Sequence, residues 1–208
     1  MDRRFFQNRF ELVRQALLSG ADCLLSFRGL SVVCERAPEL LATAKVFLLD
    51  EVNAHYGQPK LTADGFDRHA EADRDMVLHP HVRRSQGRVG FCRDIRKGVF
   101  TGQTIVYGAL QVACWLGYRR IFILGMDLGG TGRDARFYES GKLAAAMRLD
   151  RDFEPFILPA FEVARDVLGD AGVEVYNLSQ HSLLPDSVIP KRSLAEVLAM
   201  ERQSVSRW

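Results

Sequence analysis

Several features are missing from this 208-residue chain, and each absence narrows the class of protein it can represent. No apolar run approaches the roughly 20 residues that a membrane-spanning helix requires. The N-terminal sequence MDRRFFQNRF is charged and has no apolar centre, so a signal peptide is not indicated. Internal repeats and low-complexity segments are also absent. We therefore expect a cytoplasmic, globular protein.

Metal-type cysteine spacing and a strong net charge are also missing. The four cysteines show no paired spacing of the kind that binds zinc, so we expect them to be free thiols, mostly buried. The net charge of +2 and the pI near 8.4 are too weak to indicate a nucleic-acid partner. Hydrophobic residues make up 47% and charged residues 26%, as in ordinary globular proteins. This length and composition predict one domain over residues 1–208.

Charge is, however, unevenly distributed along the chain. Residues 64–75 are rich in acidic side chains, and residues 83–97 are rich in basic ones. Charge runs usually form solvated surface. The functional alternative is an arginine-rich flap, including Arg96, that neutralises a phosphate group.

Helices and strands are predicted to alternate along the chain, which indicates an α/β fold. We expect a Rossmann-like three-layer fold with a mostly parallel sheet and inserts near 56–100 and 129–155. The chain opens on a helix, without the strand and glycine-rich turn that usually come first, so we predict an N-terminally truncated version of this fold. The predicted helices cover 5–19, 38–44, 157–170 and 193–203, and one follows Thr101; the predicted strands cover 22–27, 46–49, 121–124 and 173–177.

The most informative stretch is GVFTGQTIVYGALQVACWLGYRRIFILGMDLGG, residues 98–130. It predicts a tight turn, a helix, a strand buried on both faces, and Asp127 just beyond that strand. A helix that begins near Thr101 offers unpaired N–H groups and a positive dipole end to an anion. We therefore predict that nucleotide phosphate or ribose binds at Thr101, Gly102, Gln103 and Thr104. A plain helix cap at this turn is the alternative.

Other polar residues follow the remaining predicted strands. Asp50 and Asn53 come directly after the strand at 46–49, so they are expected to share the ligand cleft at that sheet edge. His181 follows the strand that ends at Asn177. A histidine there suits a general base. Asp127 is the other predicted catalytic residue, although an acidic residue at a strand end can also simply cap a turn.

The segment TGQTIVYGALQVACWLGYRRIFILGMDL resembles a motif shared by two related groups. One is the bacterial sialyltransferase-like, CMP-sugar-dependent glycosyltransferases, which include lipopolysaccharide core biosynthesis proteins. The other is the archaeal hydroxymethylpterin pyrophosphokinase-like proteins. The segments RFYESG, DRDFEPFILPAFE and VYNLSQHSLLP look most like the lipopolysaccharide-core branch. The resemblance places Asp127 by the active site. Tyr138, in the segment RFYE, is a further candidate for contact with phosphate or acceptor, and packing of its ring at the surface is the alternative.

The resemblance implies a glycosyltransferase that uses a CMP-type sugar donor and a lipopolysaccharide core acceptor, with peripheral contact at the inner membrane. No metal site and no cofactor are assigned on this interpretation. One alternative is a magnesium-dependent pyrophosphokinase acting on a pterin-like substrate, in which carboxylates such as Asp50 and Asp127 hold the metal. A second alternative is a non-catalytic nucleotide- or sugar-binding partner protein. The oligomeric state is left open.

Overall fold

The computed structural model describes residues 3–128 and 151–205. Its N-terminal part, up to residue 48, contains three helices, a 3₁₀-helix and two strands. In chain order these are α1 (Arg3–Asn8), α2 (Phe10–Leu18), β1 (Asp22–Leu25), α3 (Phe27–Arg36), the 3₁₀-helix Pro38–Ala42 and β2 (Lys45–Leu48).

The remaining described residues add four α-helices and four strands. They are α4 (Ala63–Ala72), β3 (Met76–Val77), β4 (Phe91–Cys92), the 3₁₀-helix Ile95–Lys97, α5 (Ile105–Trp115), β5 (Arg120–Ile123), the π-helix Phe153–Ile157, α6 (Leu158–Asp170), β6 (Glu174–Asn177) and α7 (Leu194–Val205).

The strands of the described residues form three two-stranded sheets. β1 pairs with β2 and β5 with β6, both in parallel, whereas β3 and β4 are antiparallel. Parallel neighbours require crossover connections, and α3 follows β1 while α6 precedes β6. The predicted α/β class is confirmed. The single three-layer sheet stays a prediction, because no ladder joins the three sheets within the described residues.

Two hydrophobic clusters stabilise the fold. The smaller one packs α1, α2 and α3 against β1 around Phe6 and Val33. The larger one packs α4, α5 and α6 around Phe100, Tyr107 and Phe161. The chain passes from one cluster to the other just after β2, where Glu51 bridges to Val99 in parallel fashion. This crossing point brings the end of β2 next to the segment that leads into α5.

The N-terminal prediction needs two corrections. The helix expected over 5–19 is interrupted at Arg9, whose φ of −128° and ψ of 37° are not helical. The strand expected to reach Phe27 ends at Leu25, because the Ser26 side chain accepts the Gly29 N–H and starts α3. The sequence analysis missed α3 altogether.

The predicted insert near 56–100 is also more regular than expected. It contains α4, which begins where the Thr62 hydroxyl accepts the N–H of Gly65, and the β3–β4 ladder. The strands β2 and β5 are less buried than the sequence predicted: in β2 Phe47 is 55% exposed, and in β5 only Ile123 is fully buried. Leu124, predicted to be in the second of these strands, lies just beyond it and is 80% exposed. Most of the insert predicted over 129–155, including Tyr138, lies outside the described residues.

All four cysteines are free, as expected, but only Cys92 is fully buried and Cys34 is exposed. Burial raises the pKa of the Cys92 thiol.

Among the helices in 3–128 and 151–205, none combines the length and apolarity needed to cross a bilayer.

Candidate functional site

The segment from Gly98 to Val106, here called the 98–106 turn, leads into α5 and requires glycine at two positions. Gly98 has φ of 93°, and a Cβ there would lie 2.8 Å from the Val52 backbone nitrogen. Gly102 has φ of 49°, and a Cβ there would lie 2.3 Å from the Tyr107 ring. Both close approaches and both left-handed conformations exclude a larger residue. The turn is therefore fixed against the 50–56 loop on one side and α5 on the other.

Backbone groups at the start of the turn are already hydrogen-bonded. The Thr101 N–H donates to the Gly87 carbonyl at 3.0 Å, and the Gly102 N–H donates to the Arg88 carbonyl at 3.0 Å. The Gln103 side chain donates to the Thr101 hydroxyl at 3.4 Å, and Gln103 itself has φ of 54°. A left-handed non-glycine residue stores strain of the kind that often marks a functional site.

The end of the turn caps α5 and leaves two amides available. The Thr104 hydroxyl accepts the Tyr107 N–H at 3.2 Å, so Thr104 is the N-cap, as the alternative interpretation of this turn proposed. Within the described part of the chain, the N–H groups of Ile105 and Val106 have no acceptor. The anion-binding capacity predicted for this turn therefore lies one to two residues beyond Thr104.

A buried polar pair on α5, Tyr107 and Gln111, holds the turn in place. The Gln111 Oε1 accepts the N–H groups of Cys92 and Phe100, each at 3.1 Å, and its Nε2 donates to the Phe100 carbonyl at 2.8 Å. The Tyr107 hydroxyl lies 2.7 Å from the Gly90 carbonyl oxygen and can donate its proton there. Both side chains are fully buried. The sequence analysis missed this role, although a glutamine within an apolar helix was a visible signal.

Residues 50–56, called the 50–56 loop, lie beside the turn. The Val99 N–H donates to the Asp50 carbonyl at 2.9 Å. The Asn53 Nδ2 donates to the Gln86 carbonyl at 2.6 Å, and Asn53 is only 3% exposed. Its Oδ1 has no hydrogen-bond partner among the described residues. A buried acceptor without a donor is unfavourable, so a ligand N–H or O–H group that reached the Asn53 Oδ1 would supply a missing hydrogen bond.

The loop also pairs a carboxylate with an imidazole. The Asp50 Oδ2 lies 3.6 Å from the His55 Nδ1, and both side chains are half-buried. The same Oδ2 accepts the Tyr56 N–H at 3.4 Å. The Tyr56 ring lies 4.3 Å from the Phe27 ring, centroid to centroid, and both rings are exposed. His55, Tyr56 and Phe27 did not figure in the sequence analysis because their proximity depends on the loop conformation.

The acidic and basic runs pair with each other at the surface, which agrees with the interpretation of the runs as solvated surface. The Lys97 Nζ lies 2.7 Å from both an Asp73 and an Asp75 carboxylate oxygen. Hydrogen bonds from Lys97 lower the pKa of Asp73, and those to Asp73 and Asp75 raise the pKa of Lys97. Two further pairs join the runs, Arg83 with Glu71 and Arg84 with Asp64. These contacts fasten the segment before the turn to α4 and its C-terminal end.

Arg96, predicted to bind phosphate, is engaged elsewhere. Its guanidinium forms a bidentate pair with Asp94, with the shortest contact at 2.7 Å. Those hydrogen bonds lower the pKa of Asp94 to about 2. The Asp94 pair uses the Nε and Nη2 groups of Arg96 and offsets part of the positive charge that was predicted to neutralise phosphate.

The two predicted catalytic residues lie at a different sheet edge. Asp127 follows β5 and His181 follows β6, and both are exposed. Asn177, the last residue of β6, is fully buried. Its Oδ1 accepts the Ser179 N–H, and its Nδ2 has no partner among the described residues. In the parts of the chain that the structure describes, no group of three or more metal-ligating side chains is present.

The structure thus brings together one set of predicted residues and separates another. A backbone hydrogen bond joins Asp50 to Val99 in the turn that carries Thr101, Gly102, Gln103 and Thr104. The Asn53 side chain is bonded to Gln86, whose neighbour Gly87 accepts the Thr101 N–H. No hydrogen bond or ion pair in the described ranges joins Asp127 or His181 to that set. Tyr138 lies outside the described residues.

Comparisons with known proteins identify the family. The profile of the family described as 3-deoxy-D-manno-octulosonic acid transferase WaaZ matches residues 46–194. A probable 3-deoxy-manno-octulosonic acid transferase of Escherichia coli (strain K12) is 38% identical over 134 residues, covering 64% of this chain and 46% of that protein. A protein of the same name in Salmonella typhimurium (strain LT2) is 36% identical over 113 residues, which cover 54% of this chain and 40% of that protein.

The chain spans less than half the length of these curated relatives. No solved structure shows significant similarity to it. The family profile nevertheless covers more than two thirds of the chain and includes the 50–56 loop, the 98–106 turn and both sheet edges. The chain belongs to the 3-deoxy-D-manno-octulosonic acid transferase WaaZ family.

Proposed function

We propose that this chain takes part in lipopolysaccharide core biosynthesis as a glycosyltransferase that moves 3-deoxy-manno-octulosonic acid from a CMP-activated donor to a core acceptor. The observation that carries this proposal is the family match over residues 46–194, which contains the 50–56 loop and the 98–106 turn. Two relatives named as probable transferases of this sugar support it. The proposal extends to peripheral contact with the inner membrane, where a lipid-linked acceptor would be met.

Glycosyl transfer requires stabilisation of the negative charge that develops on the leaving nucleotide phosphate. The free N–H groups of Ile105 and Val106, at the positive end of α5, are suited to that phosphate. The buried Asn53 Oδ1 is suited to a donor group of the ribose or base. The 98–106 turn and the 50–56 loop would then hold opposite ends of one nucleotide.

A related proposal concerns the overall fold. We expect the three sheets to belong to one Rossmann-like three-layer domain. The parallel pairing of β1 with β2 and of β5 with β6 supports it, since parallel pairs with helical crossovers are the units of such folds. Asp127 and His181 remain the sequence-predicted candidates for the proton acceptor, at the β5–β6 edge.

Two alternatives from the sequence have less support. A magnesium-dependent pyrophosphokinase would use Asp50 and Asp127 together, yet within the described residues no contact links the two. The non-catalytic alternative shares the nucleotide site and differs only in turnover. The family match favours sugar transfer over both.

Thermal denaturation of the chain with CMP, CDP, UDP, GDP and ATP, each with and without magnesium, tests this proposal. A ligand that binds the folded state raises the melting temperature. We expect CMP to raise it without magnesium. A magnesium-dependent rise with ATP alone would instead favour the pyrophosphokinase, and the absence of any rise would contradict nucleotide binding.

A further inference from the structure

We propose that His55, positioned by Asp50, is the general base that removes the proton from the acceptor hydroxyl, and that the exposed Phe27–Tyr56 ring pair beside it receives the acceptor sugar. This inference rests on the proposed glycosyl transfer. It assigns the acceptor side of the site to the 50–56 loop.

The contact between Asp50 and His55 has the arrangement that such a base requires. The carboxylate approaches the imidazole Nδ1 at 3.6 Å, and the Tyr56 N–H holds the same carboxylate oxygen. A carboxylate at one ring nitrogen fixes the ring and stabilises the imidazolium that forms when the other nitrogen takes a proton. The separation exceeds an ideal hydrogen bond, but catalytic contacts are often long before substrate binds.

The opposite ring nitrogen of His55 is available for the substrate. The described residues give Nε2 no hydrogen-bond partner, and the His55 side chain is 33% exposed. Asp50 is the charged group that the structure places within 4 Å of this ring. By contrast, neither Asp127 nor His181 has a hydrogen-bond or ion-pair partner among the described residues that would orient its side chain.

The proposed step balances with the donor named above. The acceptor oxygen attacks the anomeric carbon with a lone pair while the His55 Nε2 takes the hydroxyl proton. The bond between the anomeric carbon and the phosphate oxygen breaks, and its electrons leave with the nucleotide, whose phosphate gains one negative charge. The His55 imidazolium then returns its proton to water.

The ring pair is placed to hold the acceptor. Tyr56 directly follows His55 and is 63% exposed, and Phe27, at the carboxyl end of β1, is 42% exposed. Aromatic faces next to polar groups are suited to sugars, which have apolar C–H faces and polar rims. The carboxyl ends of parallel strands are also where open α/β sheets bind ligands.

A separate observation places ligand chemistry on this same loop. Asn53 is nine-tenths buried or more and its Oδ1 lacks a donor, two residues before His55. The Asp50 carbonyl is bonded to Val99, two residues before Thr101. The proposed base therefore shares the 50–56 loop with the orphan acceptor of Asn53, and its partner Asp50 is hydrogen-bonded to the turn that leads to the free amides of α5.

The test compares wild type, His55→Gln, Tyr56→Ala and His69→Gln by steady-state transfer from a CMP-activated 3-deoxy-manno-octulosonic acid donor to a lipopolysaccharide core acceptor. His69 is an exposed histidine in the last turn of α4 and serves as the matched control. We expect His55→Gln to lower kcat by about 100-fold or more, with donor KM and the CMP-induced thermal shift unchanged. We expect Tyr56→Ala to raise acceptor KM with little change in kcat, and His69→Gln to match wild type.

A second measurement separates catalysis from folding: added imidazole is expected to restore part of the activity of His55→Ala. Retention of kcat in His55→Gln would overturn the inference, as would loss of kcat in His181→Gln alone. CMP binding without any transfer by the wild type would also overturn it, because no reaction would remain for His55. Failure of CMP to bind would instead refute the proposed function on which it rests.

Discussion

The two sides of the candidate site differ in how their polar groups are used. In the 98–106 turn, Thr101, Gly102 and Thr104 direct their hydrogen-bonding groups inward, and the buried Gln111 completes the network. In the 50–56 loop, the Asn53 Oδ1 and the far nitrogen of His55 are unused within the described residues.

This difference indicates that the paired groups have a structural role and that the unpaired groups are suited to ligand recognition. The Thr101 and Gly102 N–H groups are already paired and gain little from a ligand, since binding must first break internal hydrogen bonds. A loop with an orphan acceptor gains a bond that was missing. The polar residues predicted from the motif TGQT thus position the helix amides, while recognition of the sugar and nucleotide falls to the loop and to Ile105 and Val106.

Gln111→Leu should produce the largest effect, because the turn depends on this side chain. The substitution leaves the Cys92 N–H and both Phe100 backbone groups without partners in a buried environment. We expect the free energy of unfolding to fall by roughly 3 kcal/mol or more, measured by urea denaturation. The exposed Gln15→Leu on α2 is the control, with a change of at most about 0.5 kcal/mol. Equal effects of the two variants would contradict a scaffold role for the turn.

Gly102→Ala should destabilise the protein by about 2–3 kcal/mol. The new Cβ would have a left-handed φ and would meet the Tyr107 ring at 2.3 Å. Gly117→Ala provides the comparison, since Gly117 has φ of 89° but nothing within 4 Å of a Cβ. That control should lose only about 1 kcal/mol. If both variants melt at the same temperature, the close packing of the turn on α5 is not important for stability.

Asn53→Ala should separate binding from stability. It removes one hydrogen bond to Gln86, so unfolding should become easier by only about 1 kcal/mol. The same change removes the orphan acceptor, so we expect CMP affinity to fall by about tenfold in calorimetric titration. Asn8→Ala, at the exposed end of α1, should leave both quantities unchanged. Unaltered CMP affinity in Asn53→Ala would remove the loop from the nucleotide site.

The acid dependence of stability should be the smallest effect, since the groups involved are solvent-accessible. Hydrogen bonds from Lys97 lower the pKa of Asp73, and those from Arg96 lower the pKa of Asp94 to about 2. Lowered carboxyl pKa values stabilise the fold above the unfolded value, near ~3.9, and this stabilisation is lost as the pH falls towards 2. We expect Lys97→Met to flatten that decline in melting temperature relative to Lys60→Met. Identical acid profiles would contradict the pairing of the charge runs.

Local sequence signals predicted the elements whose cause is local. The helix α5 follows from an apolar repeat and is confirmed, although it begins after Thr104 and not near Thr101; the Thr104 cap was only the alternative interpretation of this turn. The helices α3 and α4 were missed, although Ser26 and Thr62 cap them in the same way. The apolar strands β2 and β5 suggested burial that the described residues do not provide.

Features that depend on tertiary contacts could not be predicted from the sequence. The charge runs at 64–75 and 83–97 looked independent, and only the folded chain pairs Lys97 with Asp73 and Asp75. Asp50 was predicted from its position after a strand, but its contact with His55 requires the loop to fold back over five residues. The buried hydrogen bonds of Gln111 likewise depend on β4 and the turn meeting α5.

Residue-resolved amide hydrogen exchange with and without CMP tests the central claim, that the nucleotide binds where the turn and the loop meet. Without ligand, the paired amides of Thr101 and Gly102 should exchange slowly, and those of Ile105 and Val106 should exchange quickly. Saturating CMP is predicted to slow exchange at Ile105 and Val106 and to leave Thr101 and Gly102 unchanged. Unaltered exchange at Ile105 and Val106 with CMP bound would contradict the account and place the nucleotide elsewhere on the protein.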